Sequence, residues 1–466
     1  MQTADDITPV GKPPPELLPL PASAPGEPSA WGSRHAHDPT VVRDDDGTYF
    51  MFSTDSVANS EDIPAGVLIR TSTDLVAWQY AGTAFDGVPG PAAEWSGARG
   101  LWAPDVVRWP DGNWHMYYSA STFGSNTSAI GLAVAPAPAG PWEDRGIVVA
   151  TRAGEHIQNA IDAAVARDAD GAPWLTYGSF FAGIYTLPLD RTSGEPLVTG
   201  DLGSLIARRH PSVDGAVEGA FVLYRAEEDR YVLFTSYDSL FSSYNVRVAV
   251  ADEITGPYRD FCGRSLTDLD SPPSLAGTKV LGSYQFDGGT GWLAPGHNSV
   301  LTQEGPDGAP EHYVVHHVRF AGDPSQHVAQ LRRLFFNAAG WPVISPQSFA
   351  GRGTEVLPAP EPVAGLWCVL RFDPESTDLV PAVPLGLERP VDGSSDSGQA
   401  GVEQSDGSPA RVRLRLAGLP AGPEAAVELD AVVFGSWDWA RGQAALSFSG
   451  VDQHGVAWSG TKGDLS

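Results

Sequence analysis

Four acidic residues and one histidine stand at matching places in a repeated unit of this chain. They are Asp38, Asp105, Asp162, Glu218 and His297. Each opens a short apolar strand, which is followed by a turn containing Asp or Gly and then by a second, more aromatic strand. Carboxyl groups gathered in a closed site shift one another's pKa, so that one holds a proton while another stays ionised. The pattern therefore predicts general acid–base chemistry carried out by paired carboxyl groups.

The strand–turn–strand unit that carries these residues predicts the fold. It recurs five times at intervals of roughly 55–80 residues, and all-β repeats of this length are typical of propellers. Further short strands with their own turn signals lie between the units, as expected for blades of four strands. We therefore predict an all-β protein built on a five-bladed β-propeller. In a radial fold, matching positions lie at the same distance from the axis, so the five residues are expected to ring a central funnel.

The chain divides into three segments by composition. Residues 1–30 are rich in Pro, Ala and Glu and are predicted to be an extended N-terminal arm. Residues 31–350 hold the five repeats and form the predicted propeller. From residue 351 to 466 we predict a small accessory β domain, a barrel or sandwich, with strands near 366–372, 411–416 and 444–448 and a loop or hairpin tip at 392–408. No convincing helical periodicity occurs anywhere.

Charge limits the class of partner. The 466 residues include 57 acidic and 29 basic side chains, for a net charge of −28. This charge argues against binding to nucleic acid or to an anionic membrane surface.

No apolar run is long enough to span a bilayer, and the two cysteines form neither a disulfide framework nor a metal knuckle. The N-terminal residues lack signal-peptide features, so we favour a secreted protein whose signal is absent from this chain, with the cytoplasm as the alternative. A monomer is favoured, although the sequence does not define the oligomeric state.

Five short motifs follow the repeated units: His37-Asp38-Pro39, Trp102-Ala103-Pro104-Asp105-Val106, Asn159-Ala160-Ile161-Asp162, Gly178-Ser179-Phe180-Phe181 and Gly296-His297-Asn298. Taken together, these motifs resemble glycoside hydrolase family 43. The run from Ser119 to Gly131 resembles the endo-arabinanases of that family, and Gly455-Val456-Ala457-Trp458 is similar to the accessory β domain of two-domain arabinanases. The resemblance implies a five-bladed propeller that hydrolyses α-1,5-L-arabinofuranosidic bonds in arabinan, with endo action favoured.

The resemblance also implies a role for each residue. Asp38 is expected to be the general base and Glu218 the general acid of an inverting reaction, while Asp162 raises the pKa of the acid and orients it. Asp105 is expected to be architectural, bonded to neighbouring backbone. The residues implied in substrate binding are His37, Trp102, Asn159, Ser179, Phe180 and Phe181.

A calcium ion is the implied cofactor. Related arabinanases carry calcium in the central channel near the histidine that corresponds to His297, and we expect His297 to be the metal-site residue. Calcium prefers oxygen ligands, so water would complete most of the coordination shell.

Three alternatives remain open at this level. An exo-acting arabinofuranosidase or β-xylosidase of the same family would share the acids and differ in its loop lengths. A non-catalytic sugar-binding propeller would be expected to lack one of the three acids, and all three are present. In a retaining fructosidase-like propeller, Asp38 would be a nucleophile, but the run from Ser119 to Gly131 speaks against it.

Overall fold

The computed structural model describes residues 17–19, 27–57, 65–388, 404–417 and 427–462. Nearly all of the regular structure consists of β-strands, as predicted. Most of the predicted N-terminal arm and much of the predicted loop at 392–408 lie outside the described residues. No helix in the described part of the chain has the length and apolar character needed to cross a membrane.

The first four sheets each contain four consecutive antiparallel strands. Sheet 1 holds β1 (Thr40–Arg43), β2 (Tyr49–Ser53), β3 (Leu68–Ser72) and β4 (Gln79–Thr83). Sheet 2 holds β5 (Trp102–Arg108), β6 (Trp114–Ala120), β7 (Ser128–Ala135) and β8 (Glu143–Thr151). Sheet 3 holds β9 (Ala164–Arg167), β10 (Pro173–Tyr177), β11 (Ile184–Pro188) and β12 (Ser204–Ala207). Sheet 4 holds β13 (Val217–Arg225), β14 (Arg230–Tyr237), β15 (Asn245–Ala251) and β16 (Thr278–Leu281).

The remaining strands form a fifth sheet and a closed barrel. Sheet 5 is built on β17 (Tyr284–Gln285), β18 (Trp292–Glu304), β19 (Pro310–Phe320), β20 (Asp323–Phe336) and β21 (Pro342–Ile344). Next along the chain come β22 (Glu361–Pro362), β23 (Gly365–Phe372), β24 (Val380–Pro381), β25 (Val383–Glu388), β26 (Gln404–Ser405), β27 (Ala410–Ala417), β28 (Val427–Asp438), β29 (Gln443–Asp452) and β30 (Ala457–Lys462). β24 joins the edge of sheet 5, β22 pairs with β26, and the other six close into a barrel in the order β23-β25-β27-β28-β29-β30.

The inner strands of the five sheets contact one another in a closed cycle. β1 packs against β5, β5 against β9, β9 against β13, β13 against β18, and β18 against β1. Successive residues of one strand point to opposite faces, so each sheet supplies side chains to both of its neighbours. Met51 packs towards sheet 5 with Val315, whereas Phe52 packs towards sheet 2 with Met116. The hydrophobic cores therefore lie between the sheets and leave the inner ends of the strands available for polar groups.

The segment before β1 ties the first sheet to the last. Arg34 forms an isolated bridge with Val328 of β20, and the backbone N–H of His35 donates to the carbonyl of His327 at 3.1 Å. The buried guanidinium of Arg70 donates to the carbonyl oxygens of Gly32 and Arg34 and holds this segment in place. These bonds position His37 and Asp38 beside sheet 5.

The barrel packs against sheets 4 and 5. Phe434 on the outside of β28 meets Phe335 of β20, with ring centroids 4.4 Å apart. The Asp430 carboxylate accepts the backbone N–H groups of Ala338 and Ala339 at 3.1 and 3.0 Å. The barrel strands occupy part of the predicted accessory segment 351–466, and the boundary at residue 351 remains a prediction.

One short helix, α1 (Gly90–Ser96), was not predicted from the sequence. It has a proline in its first two positions and ends at Gly97, which adopts a left-handed conformation with φ 71°. Proline fits the first turn of a helix and glycine fits the position after the last turn, so these two residues define its ends. Its seven residues are too few for the apolar periodicity that identifies a helix. Two 3-10 turns, Pro28–Ala30 and Pro211–Val213, complete the described helices.

Candidate active site

The five sheets share an unusual backbone conformation, which lies just before or within their inner strands. The residues with left-handed φ are Asp38 (51°), Ala103 (40°), Asp162 (60°), Gly219 (58°) and His297 (49°). Asp38, Asp162 and His297 therefore occupy one equivalent position, as the sequence repeat predicts. Glu218 stands one residue before that position and Asp105 two residues after it, so the expectation of a single shared position for all five was wrong. A shift of one residue along extended chain reverses the direction of a side chain, which changes the groups that Glu218 meets.

Asp38 is a buried carboxylate, and both of its oxygens have polar partners. The Thr54 hydroxyl donates to Oδ2 at 2.6 Å, and the Thr54 oxygen in turn accepts the backbone N–H of Ala103 at 2.9 Å. Nδ1 of His37 lies 2.8 Å from Oδ1, and Nδ1 of His297 lies 3.0 Å from the same oxygen. Since an ionised carboxylate can only accept hydrogen bonds, both imidazoles must carry a proton on Nδ1. Three donors from sheets 1 and 5 therefore fix the orientation of Asp38.

The electrostatic environment keeps Asp38 ionised. Burial by itself raises the pKa of Asp38, but the imidazoles of His297 and His37 outweigh it and hold the pKa well below its usual value. Burial likewise lowers the pKa of His297, yet the negative charges of Asp38 and Asp162 reverse that effect and raise it to about 9. Near neutral pH, Asp38 is thus a carboxylate beside a protonated His297.

A second histidine layer lies behind this pair and was not found from the sequence. The His317 ring stacks on His37 with centroids 3.6 Å apart, and its Nδ1 accepts the backbone N–H of Asp38 at 3.3 Å. Burial holds the pKa of His317 well below its usual value, so the ring is neutral. Among the described residues, His37, Asp38 and His317 are the one trio of His, Cys, Asp or Glu whose donor atoms all lie within 4.8 Å of one another. His317 comes from the middle of β19, where no motif marks it.

Glu218 is buried and accepts hydrogen bonds from two hydroxyl groups. Ser179 donates to Oε2 at 2.6 Å, and Tyr244 donates to Oε1. Burial raises the pKa of Glu218, and the hydrogen bonds from the two hydroxyls offset only part of the increase. The resemblance implied that Ser179 binds substrate, and the structure shows it in contact with the acid. Tyr244 was not predicted at all.

Asp162 is the third buried carboxyl group. Its backbone N–H donates to the Ser119 hydroxyl at 2.9 Å, and its Oδ2 accepts the backbone N–H of Gly219 at 3.3 Å. Burial raises the pKa of Asp162 to about 8; His297 opposes this shift, and the negative charges of Glu218 and Asp38 add to it. Because the pKa values of Asp162 and Glu218 are both raised, this pair retains a proton near neutral pH while Asp38 does not.

Two glycines allow these groups to approach one another. A Cβ on Gly219 would lie 2.9 Å from Cα of His297, closer than real contacts of this kind. A Cβ on Gly296 would lie 2.1 Å from the Tyr244 ring. Since backbone cannot withdraw as a flexible side chain can, Gly219 is required for the close approach of sheets 4 and 5. Gly296 in turn makes room for the tyrosine that bonds to Glu218.

Asp105 has the architectural role expected for it. Its Oδ1 accepts the Thr40 hydroxyl at 3.1 Å, and its Oδ2 accepts the backbone N–H of Val165 at 2.7 Å. The carboxyl group of sheet 2 thereby links the inner strands of sheets 1 and 3. Burial raises the pKa of Asp105 to about 6.

A small axial cavity lies among the inner strands. Its volume is about 20 Å³, enough for one water-sized particle, and all five sheets contribute to its lining. Asp38, Asp162, His297 and Asn298 are among the lining residues. Both polar atoms of the Asn298 side chain are buried there and have no hydrogen-bond partner among the described residues.

The other predicted substrate-binding residues surround the acids at varying depth. Asn159 is buried, accepting the Ser128 hydroxyl at 2.7 Å and donating to the carbonyl of Ser179 at 3.3 Å. Trp102 and Phe180 are half-buried, whereas Phe181 is 50% exposed. No contact with a sugar follows from these positions alone, so their roles remain predictions.

The arrangement combines a buried carboxylate with a buried carboxyl pair that holds a proton. Asp38 is suited to accept a proton, and the Asp162–Glu218 pair is suited to give one. Acid–base hydrolysis requires a proton acceptor and a proton donor on either side of the bond that is cleaved.

Comparison with known proteins identifies the family. The model of the family described as glycosyl hydrolases family 43 matches residues 32–342. The extracellular endo-α-(1→5)-L-arabinanase 2 of Bacillus subtilis (strain 168) is 28% identical over 466 aligned residues, covering 91% of this chain and 92% of that relative. The extracellular exo-α-(1→5)-L-arabinofuranosidase ArbA of Cellvibrio japonicus (strain Ueda107) is 33% identical over 327 residues, covering 66% of this chain and 86% of the relative.

A solved structure extends the likeness to both parts of the chain. The endo-1,5-α-L-arabinanase from Thermotoga petrophila RKU-1 superposes with a TM-score of 0.76 at 26% identity, covering 94% of this chain and 100% of that one. The matching motifs, the site carboxyls and these comparisons agree. The chain belongs to glycosyl hydrolase family 43, and it is a glycosidase that resembles the endo-arabinanases of that family.

Proposed function

We propose that this enzyme hydrolyses internal α-1,5-L-arabinofuranosidic bonds of arabinan with inversion of configuration. The observation that carries the proposal is the division of three buried carboxyl groups into an ionised Asp38 and a proton-holding Asp162–Glu218 pair. Inverting hydrolysis needs a base that deprotonates water and an acid that protonates the leaving oxygen. The endo-arabinanase similarity over most of the chain supports arabinan as the substrate.

In this mechanism Asp38 deprotonates the attacking water. Its Oδ1 is occupied by His37 and His297, and Thr54 takes one acceptor position of Oδ2. An ionised oxygen accepts more than one hydrogen bond, so Oδ2 retains an acceptor position for water. The three fixed donors prevent rotation of the carboxylate and so hold that position in one direction.

Glu218 gives the proton to the leaving oxygen. Burial and the negative charge of Asp38 raise the pKa of Glu218, and Asp162, beside the inner strand of the preceding sheet, shares with it one proton between two carboxyl groups. The hydroxyls of Ser179 and Tyr244 fix the direction of Glu218. After transfer, both hydroxyls stabilise the carboxylate that forms, because each donates to one of its oxygens.

Calcium in the axial cavity is a separate proposal. Nδ1 of His297 is engaged by Asp38, so Nε2 is the ring nitrogen that would meet an ion, and it must release its proton when the ion binds. The Oδ1 of Asn298, which bonds to no described residue, supplies an oxygen of the type that calcium prefers, with water completing the shell. Bound there, the ion would add positive charge below the acids and stabilise the junction of the five sheets.

We also propose that the five sheets form a five-bladed propeller and that the protein is secreted. The cycle of contacts among the five inner strands supports the propeller, with sheet 5 as its last blade. The extracellular relatives support secretion. The second candidate is exo action, which is favoured by the similarity to the exo-acting relative.

Time-resolved product analysis on debranched linear arabinan tests the function. We expect a mixture of short oligosaccharides at the earliest time points, with no release of xylose from xylan. Arabinose as the sole early product would favour exo action, and release of xylose would move the enzyme to another substrate class.

A further inference from the structure

Four buried side chains accept the backbone N–H groups of left-handed residues in the sheets that follow them. The pairs of acceptor and donor are Thr54 and Ala103 at 2.9 Å, Ser119 and Asp162 at 2.9 Å, Ser236 and His297 at 2.7 Å, and His317 and Asp38 at 3.3 Å. Each bond joins one sheet to the next in the closed cycle, and the last joins sheet 5 to sheet 1. The four donors lie outside the paired registers of the strands, so these side chains supply the acceptors that buried N–H groups need.

The four acceptors hold one equivalent place in the fold. Across its own sheet, each meets the residue just before the left-handed one. Three of them do so as strand pairs, which are Ser119 with Trp102, Ser236 with Glu218 and His317 with Gly296. In sheet 1 the backbone N–H of Thr54 donates to the carbonyl of His37, the residue before Asp38. The arrangement therefore repeats from sheet to sheet, as unrelated buried hydroxyls would not.

Sheet 3 departs from this arrangement. The equivalent place is Gly178, whose backbone N–H donates to the carbonyl of Ile161, the residue before Asp162. A Cβ on Gly178 would lie 2.3 Å from the carbonyl oxygen of Gly183, so a side chain does not fit there. The N–H of Gly219, the left-handed residue of sheet 4, is accepted instead by Oδ2 of Asp162 at 3.3 Å. Asp162 thus completes the circle of hydrogen bonds between the sheets.

Ser119 lies behind the Asp162–Glu218 pair. Its hydroxyl fixes the backbone of Asp162, and Oδ2 of Asp162 in turn meets the N–H of Gly219, the residue after Glu218. The negative charge of Glu218 helps to raise the pKa of Asp162, so the sharing of a proton depends on the distance between the two carboxyl groups. A displacement of Asp162 would change that distance.

Ser236 lies behind the base in the same way. Its hydroxyl fixes the backbone N–H of His297, and Nδ1 of His297 lies 3.0 Å from Oδ1 of Asp38. Both serines are fully buried on the second strands of their sheets. Because each bonds to a backbone N–H group, each acts on the reaction through another residue.

We propose that Ser119 and Ser236 are positioning residues of the hydrolysis, Ser119 for the Asp162–Glu218 pair and Ser236 for Asp38. The inference rests on the proposed function, in which Asp38 is the base and Glu218 the acid. Catalytic groups must be held in register with the bond that is cut, and a displacement of about 1 Å can lower a rate by about a hundredfold.

A comparison of two substrates tests the two roles. Ser119→Ala and Ser236→Ala are assayed on linear arabinan and on an activated aryl arabinofuranoside, whose leaving group needs no proton. Ser119→Ala should lower kcat on arabinan about tenfold, with KM within about twofold, and should leave kcat on the aryl substrate within about twofold. Ser236→Ala should lower kcat about tenfold on both substrates, because both need the base.

A conservative variant and a matched control separate positioning from stability. Ser119→Thr keeps a hydroxyl, as Thr54 does at the equivalent place, and should restore kcat on arabinan to within about threefold of wild type. Ser449 is a buried strand serine of the barrel whose hydroxyl lies 2.6 Å from that of Ser459, and Ser449→Ala should leave the constants of both substrates unchanged. Should Ser119→Ala fail to fold, Ser119→Cys, which keeps a weak acceptor, must show the same difference between substrates.

Equal losses on the two substrates in Ser119→Ala would overturn the inference, because the serine would then only stabilise the fold. Unchanged rates in Ser119→Ala or in Ser236→Ala would overturn it as well. The proposed function fails separately if wild type releases xylose from xylan and leaves arabinan intact. The same comparison between xylan and an activated aryl xyloside then decides the roles of the two serines.

Discussion

The Tyr244 hydroxyl donates a hydrogen bond to Oε1 of Glu218, opposite the Ser179 hydroxyl on Oε2. Tyr244 reaches this position from the loop that follows β14, and its ring packs where Gly296 has no side chain. The acid of the site is thus oriented by two hydroxyls from different sheets. Both bonds favour the ionised form of Glu218 and so oppose the effect of burial on its pKa.

Replacement of Tyr244 by Phe tests this positioning. Loss of a donor to the carboxylate raises the pKa of Glu218, so the proton is retained to higher pH and the alkaline limb of the kcat/KM profile should move upwards. We expect kcat at neutral pH to fall about tenfold, equivalent to about 1.4 kcal/mol. Tyr177→Phe is the control, because that buried hydroxyl donates to the Leu202 carbonyl, away from the acids. An alkaline limb that stays in place or moves downwards would contradict the role of Tyr244.

Asp105 should be necessary for stability and dispensable for chemistry. Asp105→Ala leaves the Thr40 hydroxyl and the Val165 N–H without their buried acceptor, which should lower the free energy of unfolding by about 1–3 kcal/mol. Denaturant unfolding measures the loss, with the exposed Asp252→Ala as control. At temperatures where the variant is folded, kcat should stay within about threefold of wild type, since one intact acid–base pair remains. A loss of kcat of several orders of magnitude in folded protein would place Asp105 among the catalytic residues.

Calcium should stabilise the junction of the five sheets. A chelator is expected to lower the Tm of the wild-type enzyme, and calcium should restore it, because an ion that binds only the folded state stabilises that state. Asn298→Ala removes the proposed oxygen ligand without touching the acids, and His297→Ala removes the proposed nitrogen ligand. Both should abolish the chelator effect on Tm. A wild-type Tm that does not respond to the chelator, together with no calcium detected in the purified enzyme by mass spectrometry, argues against this ion.

The acid and the base should respond differently to the leaving group. Glu218→Ala should lose activity on arabinan but retain it on activated aryl arabinosides, whose leaving groups need no proton. Asp38→Ala should be inactive on both, because no other described group is placed to activate the water. The isosteric variants Glu218→Gln and Asp38→Asn control for the loss of volume. Aryl-arabinoside hydrolysis that survives Asp38→Ala and is lost in Glu218→Ala would reverse the two roles.

The sequence was sufficient to predict the all-β class, and it pointed to three carboxyl groups that the structure buries close together, while their catalytic roles remain predictions. The repeated strand–turn–strand unit identified Asp38, Asp162 and Glu218, because each stands beside a short apolar run and a Gly or Asp turn. It did not reveal that Glu218 lies one residue before the shared left-handed position. β13 shifts its register against β14 between Glu218 and Phe221, across the left-handed Gly219, and this pairing is set by contacts between strands.

The partners of the acids could not be predicted in the same way. Thr54, Tyr244 and His317 come from connections or strands that meet the inner strands only after the sheets have assembled. Each is a common residue type in a β-rich context, so neither spacing nor composition distinguishes it. Only the closure of the ring of sheets brings such residues together.

The anomeric configuration of the first-formed product tests the central claim most directly. Asp38 acting as a base through water delivers the new hydroxyl to the face opposite the leaving oxygen, so each cleavage inverts the anomeric centre. Proton NMR of an arabino-oligosaccharide digest, recorded before mutarotation, distinguishes the two anomers. We expect the β-anomer to appear first from the α-linked substrate. An initial α-anomer would mean that Asp38 attacks the sugar itself, and it would contradict the assignment of Asp38 as base and Glu218 as acid.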